Sequence, residues 1–508
     1  MWFLCSSLRL LAVGGLGLSA VAAVSSPLGA KRPRVVVVGA GFGGWGAAQA
    51  FCENGCSVTL IDSLPDPSGS SPYLTPSGKP FDAGTKGFWM DYPNINRLVT
   101  EDLGLREEDV FTPFTNSSFY SPRGLETTAP VFSKFPQLPS PLGQVIASNR
   151  FFRFLPFVDR LTIAGLLYAM LDFDRDEETF AKYDRMNAHE LFLKFGKRYF
   201  KCCYLFVKYG TSGISQRLME DFIRPTLLVG LFKPAEELSA AVVMELLYYY
   251  ALAHQTSFDV RWIKEQSIAE KIISPLSKLL ETKYDLKVIG SSRVDSLQMS
   301  EDGDRLSGLT YQDIKSGTKV TLDDVDACVL AVGAKGLKGL MANSPALAAR
   351  SPELSRAASL NSIDVIAARL WLDRTVSTPS PVNVFARFSE LRGSGGTFFL
   401  LDQLQGNTPE LWGGQSPQGS VVSCDFYNAG ALLPLSGENI KDTLIEKLLP
   451  SAVPEFRGAK VVDYHVQKFP GAVNWFSPGS YALRPPTVLP GRNMSLALQI
   501  SPSYVDRH

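Results

Sequence analysis

A chain of 508 residues, 45% of them hydrophobic, is long enough for two or three domains with large cores, and its composition is neither disordered nor fibrous. Fifty basic and fifty acidic residues cancel, and there is no dense Lys/Arg run, so no nucleic-acid partner is expected; its phosphates would call for a basic excess. The seven cysteines (Cys5, Cys52, Cys56, Cys202, Cys203, Cys328 and Cys424) form no CxxC pair, and there are four histidines, so reduced, buried thiols are expected rather than a disulfide framework or a metal site.

In chain order, residues 1–30 read as a targeting segment. A single charge, Arg9, precedes an apolar run from Leu10 to Val24, and Ala20-Val21-Ala22 offers a small-residue cleavage pattern. The run is short for a bilayer span and suits a signal-peptide core. No acidic residue occurs before Glu53, which equally suits an organelle transit peptide; a retained membrane anchor is the third reading.

Val35-Val36-Val37-Val38 then predicts a buried parallel strand. Gly39-Ala40-Gly41-Phe42-Gly43-Gly44 follows at once, then a small-residue helical stretch from Trp45 to Cys52. A second strand, Ser57 to Ile61, ends on Asp62 and Ser63. Each part has a reason. Gly39 permits the tight turn, Gly41 lets backbone N–H groups approach a pyrophosphate, and Gly44 lets the helix pack closely on the strand. The helix N-terminus offers partial positive charge to phosphates. Asp62 lies about 20 residues on, where a carboxylate accepts from ribose hydroxyls. A glycine turn alone is weak; strand, glycines, helix, strand and terminal acid in this order predict a dinucleotide site.

A regular NAD dehydrogenase would continue through further βαβ units. This chain continues instead through a polar loop, Pro65 to Pro72, into Phe81-Asp82-Ala83-Gly84. That element resembles the one by which FAD-dependent amine oxidases and carotenoid desaturases bring backbone close to the flavin. The Gly-Gly-Arg element of that superfamily is not matched; Pro67-Ser68-Gly69 stands there without the arginine. Lys287 to Leu297 is similar to the family strand whose backbone, near Val294, brackets the adenine. Val325 to Gly333 is similar to the second cofactor-domain strand and its glycine turn. The resemblance runs over residues 33 to 497 and is closest to the plant and cyanobacterial desaturase-like group, through Lys86 to Trp89, Phe119 to Pro122, Leu171 to Glu178 and Arg224 to Phe232.

The resemblance implies an α/β fold: a Rossmann-type FAD-binding domain, three-layered with a mostly parallel sheet, and an inserted α+β substrate domain. The FAD-binding parts are expected at residues 31–100, 280–345 and 455–508. The substrate domain is expected at 101–279, helical in its first part, and 346–454. FAD is the implied cofactor, held by Gly39, Ala40, Gly41, Phe42, Gly43, Gly44, Asp62, Ser63, Gly84, Val294 and Gly333. The implied activity is oxidoreduction of a small apolar substrate, a carotenoid-like isoprenoid desaturated or isomerised, in a plastid; the secretory pathway is the alternative location. An amine-oxidising flavoenzyme and a non-catalytic lipid-binding relative are the competing readings.

The segment from Phe151 to Leu171 is rich in aromatic and aliphatic residues, with Arg150, Arg153, Asp159 and Arg160 beside them. It reads either as a monotopic patch touching a membrane or as core helices of the substrate domain. Leu238 to Ala253 adds an apolar, tyrosine-rich helix. Lys86, Arg224 and His254 are polar in apolar surroundings, but no catalytic side chain stands out, because the cofactor carries most of the chemistry. A serine or cysteine hydrolase is disfavoured: GxSxG is absent. Two departures from the family pattern remain. Residues 197–213 look inserted. Met494 to Ala497 begins the family's last strand, but Leu498 and Gln499 occupy its Gly-Asp positions and no closing helix follows, so an incomplete cofactor site is expected.

Overall fold

The computed structural model describes residues 32–69, 73–140, 142–149, 152, 155–163, 166, 173, 176–199, 214–249, 253–265, 267–485, 488–489 and 494–496. The targeting segment, most of the 197–213 stretch, much of 150–172, and Leu498 with Gln499 lie outside them. The chain divides into two compact units, residues 1–70, 273–359 and 485–508, and residues 71–272 and 360–484.

The first unit holds β1 (Arg34–Val38), α1 (Phe42–Glu53), β2 (Ser57–Ile61), α2 (Ser274–Tyr284) and β3 (Lys287–Ile289). These are followed by β4 (Ser292–Met299), β5 (Leu306–Asp313), β6 (Lys319–Asp323), β7 (Ala327–Leu330) and α3 (Ala334–Asn343). Two short C-terminal strands complete it, β8 (Val488–Leu489) and β9 (Met494–Leu496). The main sheet has the order β8-β9-β7-β1-β2-β3. All neighbours are parallel except β8 on β9. β1 is central, which is why four β-branched residues in a row suit it: both faces are covered. On one face Val36, Val38, Ile61, Cys328 and Leu330 share a core with Val294, Leu297 and Leu309 of the β6-β5-β4 sheet and Leu337 and Met341 of α3. On the other, α1 packs against β1 and β2. The result is a three-layer, mostly parallel Rossmann-like arrangement.

The second unit is built on a seven-stranded mixed sheet. Its order is Val461–Asn474, Ser362–Leu372, Val421–Tyr427, Gly395–Leu400, Val382–Phe385, Ser117–Ser121 and Gly124–Ala129. One face carries Ile366, Ala368, Leu370, Val422, Cys424, Phe426 and Phe398, packed with Ile440, Leu444, Leu448 and Phe456 from the helical turns after it. A separate helical core joins Leu191, Phe192, Leu227, Leu238, Val243 and Met244.

Three expectations change. The cofactor-domain boundaries at 100 and 455 fall at 70 and 485, and the middle part runs 273–359. The reason is strand pairing: Gly87–Trp89 bonds to Val260–Trp262, and Val461–Asn474 bonds to Ser362–Leu372, so the backbone groups of both segments are satisfied inside the second unit. The first part of the substrate unit is not wholly helical, because Ser117–Ser121 and Gly124–Ala129 join its sheet. The helix expected over Leu238 to Ala253 is Ala240–Tyr248. Cys52, Cys56, Cys328 and Cys424 are free and buried, and burial pushes the Cys328 thiol up to about 12, which leaves it inert.

Candidate functional site

Three of the four glycines in the β1–α1 turn shape it in different ways. Gly39 takes φ +103, donates its N–H to the Ile61 carbonyl at 2.8 Å, and lies so near β7 that a Cβ would stand 2.3 Å from the Ala331 oxygen. A Cβ on Gly44 would stand 1.8 Å from the Gly39 oxygen, so α1 closes on the turn only because this residue lacks one. A Cβ on Gly41 would meet nothing within 4 Å. Gly41 caps α1 with extended backbone, no side chain caps that helix, and its first turn holds no acid. Phe42 and Gly43 beside it are exposed. The N-terminal amides of a 12-residue helix therefore face open space with their partial positive charge uncompensated.

Asp62 closes the other side. Its Oδ2 accepts from Ala40 N–H and its Oδ1 from Leu64 N–H, both at 2.7 Å. An ionised carboxylate has about four acceptor positions, so it retains room for ribose hydroxyls. Ser63 is exposed beside it. The Asp62 and Leu64 carbonyls accept from Ser292 and Ser291, which ties this loop to the start of β4. Two residues on, Val294 is buried in the core, and a register shift between Val294 and Ser296 breaks the regular pairing there. Gly333 lies on the other flank of β1: Ala331 N–H donates to the Val38 carbonyl, and Gly333 caps α3, again with no side-chain cap and nothing within 4 Å of a Cβ. The structure thus groups Gly39 to Gly44, Asp62, Ser63, Val294 and Gly333 in one unit around the ends of β1, β2 and β7. Sequence reading placed Gly333 but not α3; Leu337, Leu340 and Met341, spaced for one helical face, were its signal. These features fit a dinucleotide: a pyrophosphate over α1 and a ribose at Asp62.

Gly84 belongs to the second unit. At φ +77 it turns the chain so that Thr85 N–H donates to Asp425 Oδ2 at 3.0 Å. Asp425 is buried on the sheet face opposite the Leu370 and Phe426 core, and burial pushes its carboxyl up to about 6 although Thr85, Lys86 and Arg369 pull it down. On the same face, Arg369 and His465 are cross-strand partners. Arg369 is buried and donates to the Pro80 carbonyl at 2.8 Å, and His465 packs its ring edge-on to Phe81 at 4.5 Å. Sequence reading missed Asp425, Arg369 and His465. Of the three polar residues it raised, Lys86 donates to the Ala83 carbonyl at 2.8 Å, Arg224 is paired with Glu236 and Glu220, and His254 is exposed.

The class defined by this fold and turn is that of dinucleotide-binding oxidoreductases. Residues 37–101 match the family of NAD(P)-binding Rossmann-like domains. Over 471 residues the chain is 22% identical to the 15-cis-phytoene desaturase of Solanum lycopersicum, covering 91% of this chain and 72% of that protein. It is 25% identical over 472 residues to the carotenoid phi-ring synthase of Streptomyces griseus, covering 87% of this chain and 79% of that protein. Among solved structures, a redesigned putrescine oxidase matches 92% of this chain and 93% of its own, with a TM-score of 0.58 at 17% identity. An oxidoreductase from Methanosarcina mazei matches 91% and 94%, with a TM-score of 0.55 at 14% identity; at such identities these two likenesses show the fold. In fold, fingerprint and relatives the chain is similar to FAD-dependent amine oxidases and carotenoid desaturases, and it is an oxidoreductase.

Proposed function

We propose that this protein is an FAD-dependent oxidoreductase that desaturates or isomerises an apolar isoprenoid of the carotenoid kind. The observation that carries the cofactor is the uncapped α1 N-terminus with open space at Gly41 and a carboxylate at Asp62. The α1 amides would hold the pyrophosphate, Asp62 and Ser63 the ribose, and the backbone near Val294 the adenine, with Gly333 flanking. Gly84 is assigned to the same cofactor on the likeness of Phe81 to Gly84 to the family element. Bound FAD supplies the two-electron acceptor of the reaction. The chain's own part is to bind, orient and keep water from the substrate. The isoprenoid substrate is supported by the two carotenoid-acting relatives, which span most of the chain.

The Solanum lycopersicum relative, a chloroplastic or chromoplastic protein, supports a plastid location. We further assign a peripheral membrane contact to the surface near residues 142–161. Leu142 and Ile146 are exposed one helical turn apart, and Phe157 and Val158 are 62% and 58% exposed. Among the described residues no helix is long and apolar enough to cross a membrane.

Purified protein with the two-band absorption of oxidised flavin, bleached anaerobically by phytoene in liposomes and not by putrescine, is the expected result. Bleaching by putrescine instead would make it an amine oxidase. Colourless protein that takes up no FAD would leave a lipid-binding relative.

A further inference from the structure

The seven-stranded sheet of the second unit ends on one side at Val461–Asn474. At that edge the hairpin closed by the Leu74–Pro80 bridge is bonded to Asp463 through Ser77 and Lys79. A cavity of about 300 Å³ opens there, lined by Thr75, Ser77, Asp463, Tyr464, His465 and Val466. All of these residues belong to the second unit, and none is among those assigned to the cofactor. A volume of that size admits one small ring with its substituents.

The polar side of the cavity is held by a directed chain of hydrogen bonds. The Ser77 hydroxyl donates to Asp463 Oδ2 at 2.6 Å, so the Thr75 hydroxyl, 2.8 Å from Ser77, donates to Ser77. Thr75 Oγ1 in turn accepts from the Lys79 amide at 3.1 Å. The Lys79 ammonium donates to the same Asp463 oxygen at 2.5 Å, and Oδ1 accepts from the Tyr464 amide at 2.8 Å. Lys79 and Thr75 are buried, so two buried groups orient a carboxylate whose own side chain is 21% exposed. An ionised carboxylate has about four acceptor positions, of which these bonds use three; Oδ1 keeps one and Ser77 keeps a lone pair. Burial pushes the Asp463 carboxyl up, but hydrogen bonds from Lys79 and Ser77 outweigh it and keep the group ionised. Burial and the Arg369 charge hold the His465 imidazole below its ordinary range, so it brings no charge near pH 7. Lys441, over the Tyr464 ring at 5.3 Å, is paired with Asp442. The apolar side is formed where Val466 and Tyr464 come together at Gly437, where a Cβ would stand 3.5 and 3.9 Å from them.

We propose that this cavity binds a neutral, hydroxyl-rich ligand the size of one sugar ring, whose hydroxyls donate to Asp463 and Ser77 while its C–H face lies on Val466 and Tyr464. The other ligand classes fit less well. A cation gains little from a carboxylate already paired with Lys79, and an anion meets the Asp463 charge. An apolar molecule covers the two open acceptors without giving them a donor. The ring belongs either to a free glycoside or to the head group of a glycolipid, which present the same hydroxyls. A network that served solely to pin the hairpin to the edge strand would make the same internal bonds and bind neither.

The test titrates the full chain with methyl β-D-galactoside and methyl α-D-glucoside, followed by saturation-transfer NMR on the sugar. The permethylated galactoside, which keeps the ring and has no hydroxyl donor, is the control. Asp463→Asn and Ser77→Ala are the variants; Ser77 is exposed at the hairpin tip, so its replacement keeps the fold. The expected result is saturable binding of at least one glycoside with a Kd of about 1 mM, and none of the permethylated ring. Binding should weaken about tenfold or more in Asp463→Asn and about threefold in Ser77→Ala, with flavin content and melting temperature of the latter unchanged. Flotation on phosphatidylcholine liposomes with and without a galactosyl diacylglycerol separates the two sources. Stronger flotation with the glycolipid, reversed by free glycoside, identifies a head group; glycoside binding with equal flotation identifies a free sugar. Wild-type protein that binds neither glycoside and floats equally on both liposomes overturns the inference. So does equal binding of the permethylated ring, or binding that neither variant weakens. The proposed function is read separately, by flavin content and reduction by phytoene, and stands or falls without this site.

Discussion

Replacing Gly41 and Gly44 separately by alanine distinguishes a glycine kept for a ligand from one kept for the fold. At Gly41 the new methyl meets no protein atom within 4 Å, and the residue's φ of −72° suits any amino acid. Alanine is a poorer N-cap than glycine by up to about 1 kcal/mol, and it restricts the unfolded chain by about 0.4–1 kcal/mol in the opposite sense. The net change in stability should stay within about 1 kcal/mol. The methyl does, however, occupy the space through which a pyrophosphate reaches the α1 amides, and FAD affinity should fall at least tenfold, or about 1.4 kcal/mol. At Gly44 the methyl would lie 1.8 Å from the Gly39 oxygen, well inside contact distance, so α1 must move from β1. Overpacking of that kind costs about 3 kcal/mol or more. Urea unfolding and flavin titration of both variants decide the matter. Unchanged FAD affinity in Gly41→Ala would refute the assigned pyrophosphate position. A Gly44→Ala protein as stable as wild type would refute the close approach of helix and turn.

Asp62→Ala deprives the Ala40 and Leu64 amides of their acceptor and should cost about 1–3 kcal/mol by urea unfolding, with weaker FAD binding; unaltered values of both would show that the carboxylate holds neither. Asp425 binds a proton more tightly folded than unfolded, so between about pH 4 and 6 the folded state holds more protons, and stability falls as pH rises through that window. Asp425→Asn has no such dependence, and should gain on wild type by up to about 3 kcal/mol between pH 4 and pH 7; parallel stability curves would contradict this. Trp371→Phe empties part of a fully buried site and leaves the Leu411 carbonyl without its indole donor, a loss of about 2–4 kcal/mol measurable by thermal unfolding. Phe157→Asp with Val158→Asp should abolish flotation with anionic liposomes and leave the melting temperature within a few degrees; equal flotation would remove the membrane contact.

The glycine-turn half of the candidate site was legible because it is local. Its strand, turn, helix and second strand occupy about thirty consecutive residues, and each glycine has a steric task that another residue performs badly. Gly39 and Gly44 perform those tasks as read, β2 runs from Ser57 to Ile61 as read, and Asp62 stands at its end. The run of four valines likewise announced a strand covered on both faces.

Legibility fell where neighbours in space are distant in sequence. Val461–Asn474 was assigned to the cofactor domain, because nothing in its composition says which sheet will satisfy its backbone; pairing with Ser362–Leu372 decided that. Asp425 illustrates the same limit at a single residue. In sequence it is one acid in Val421-Val422-Ser423-Cys424-Asp425-Phe426-Tyr427, and alternation alone permits either face. Register places it beside Ala367 and Thr397, and a turn more than three hundred residues earlier in the chain gives one of its oxygens a partner and leaves the other free. By itself, then, the sequence determined the βαβ unit, its glycine turn and its acid, since local sterics and the helix dipole act over a few residues. Only the tertiary structure decided the unit boundaries and the buried carboxylate, because both depend on which strands close each other's hydrogen bonds and on what burial does to a charge.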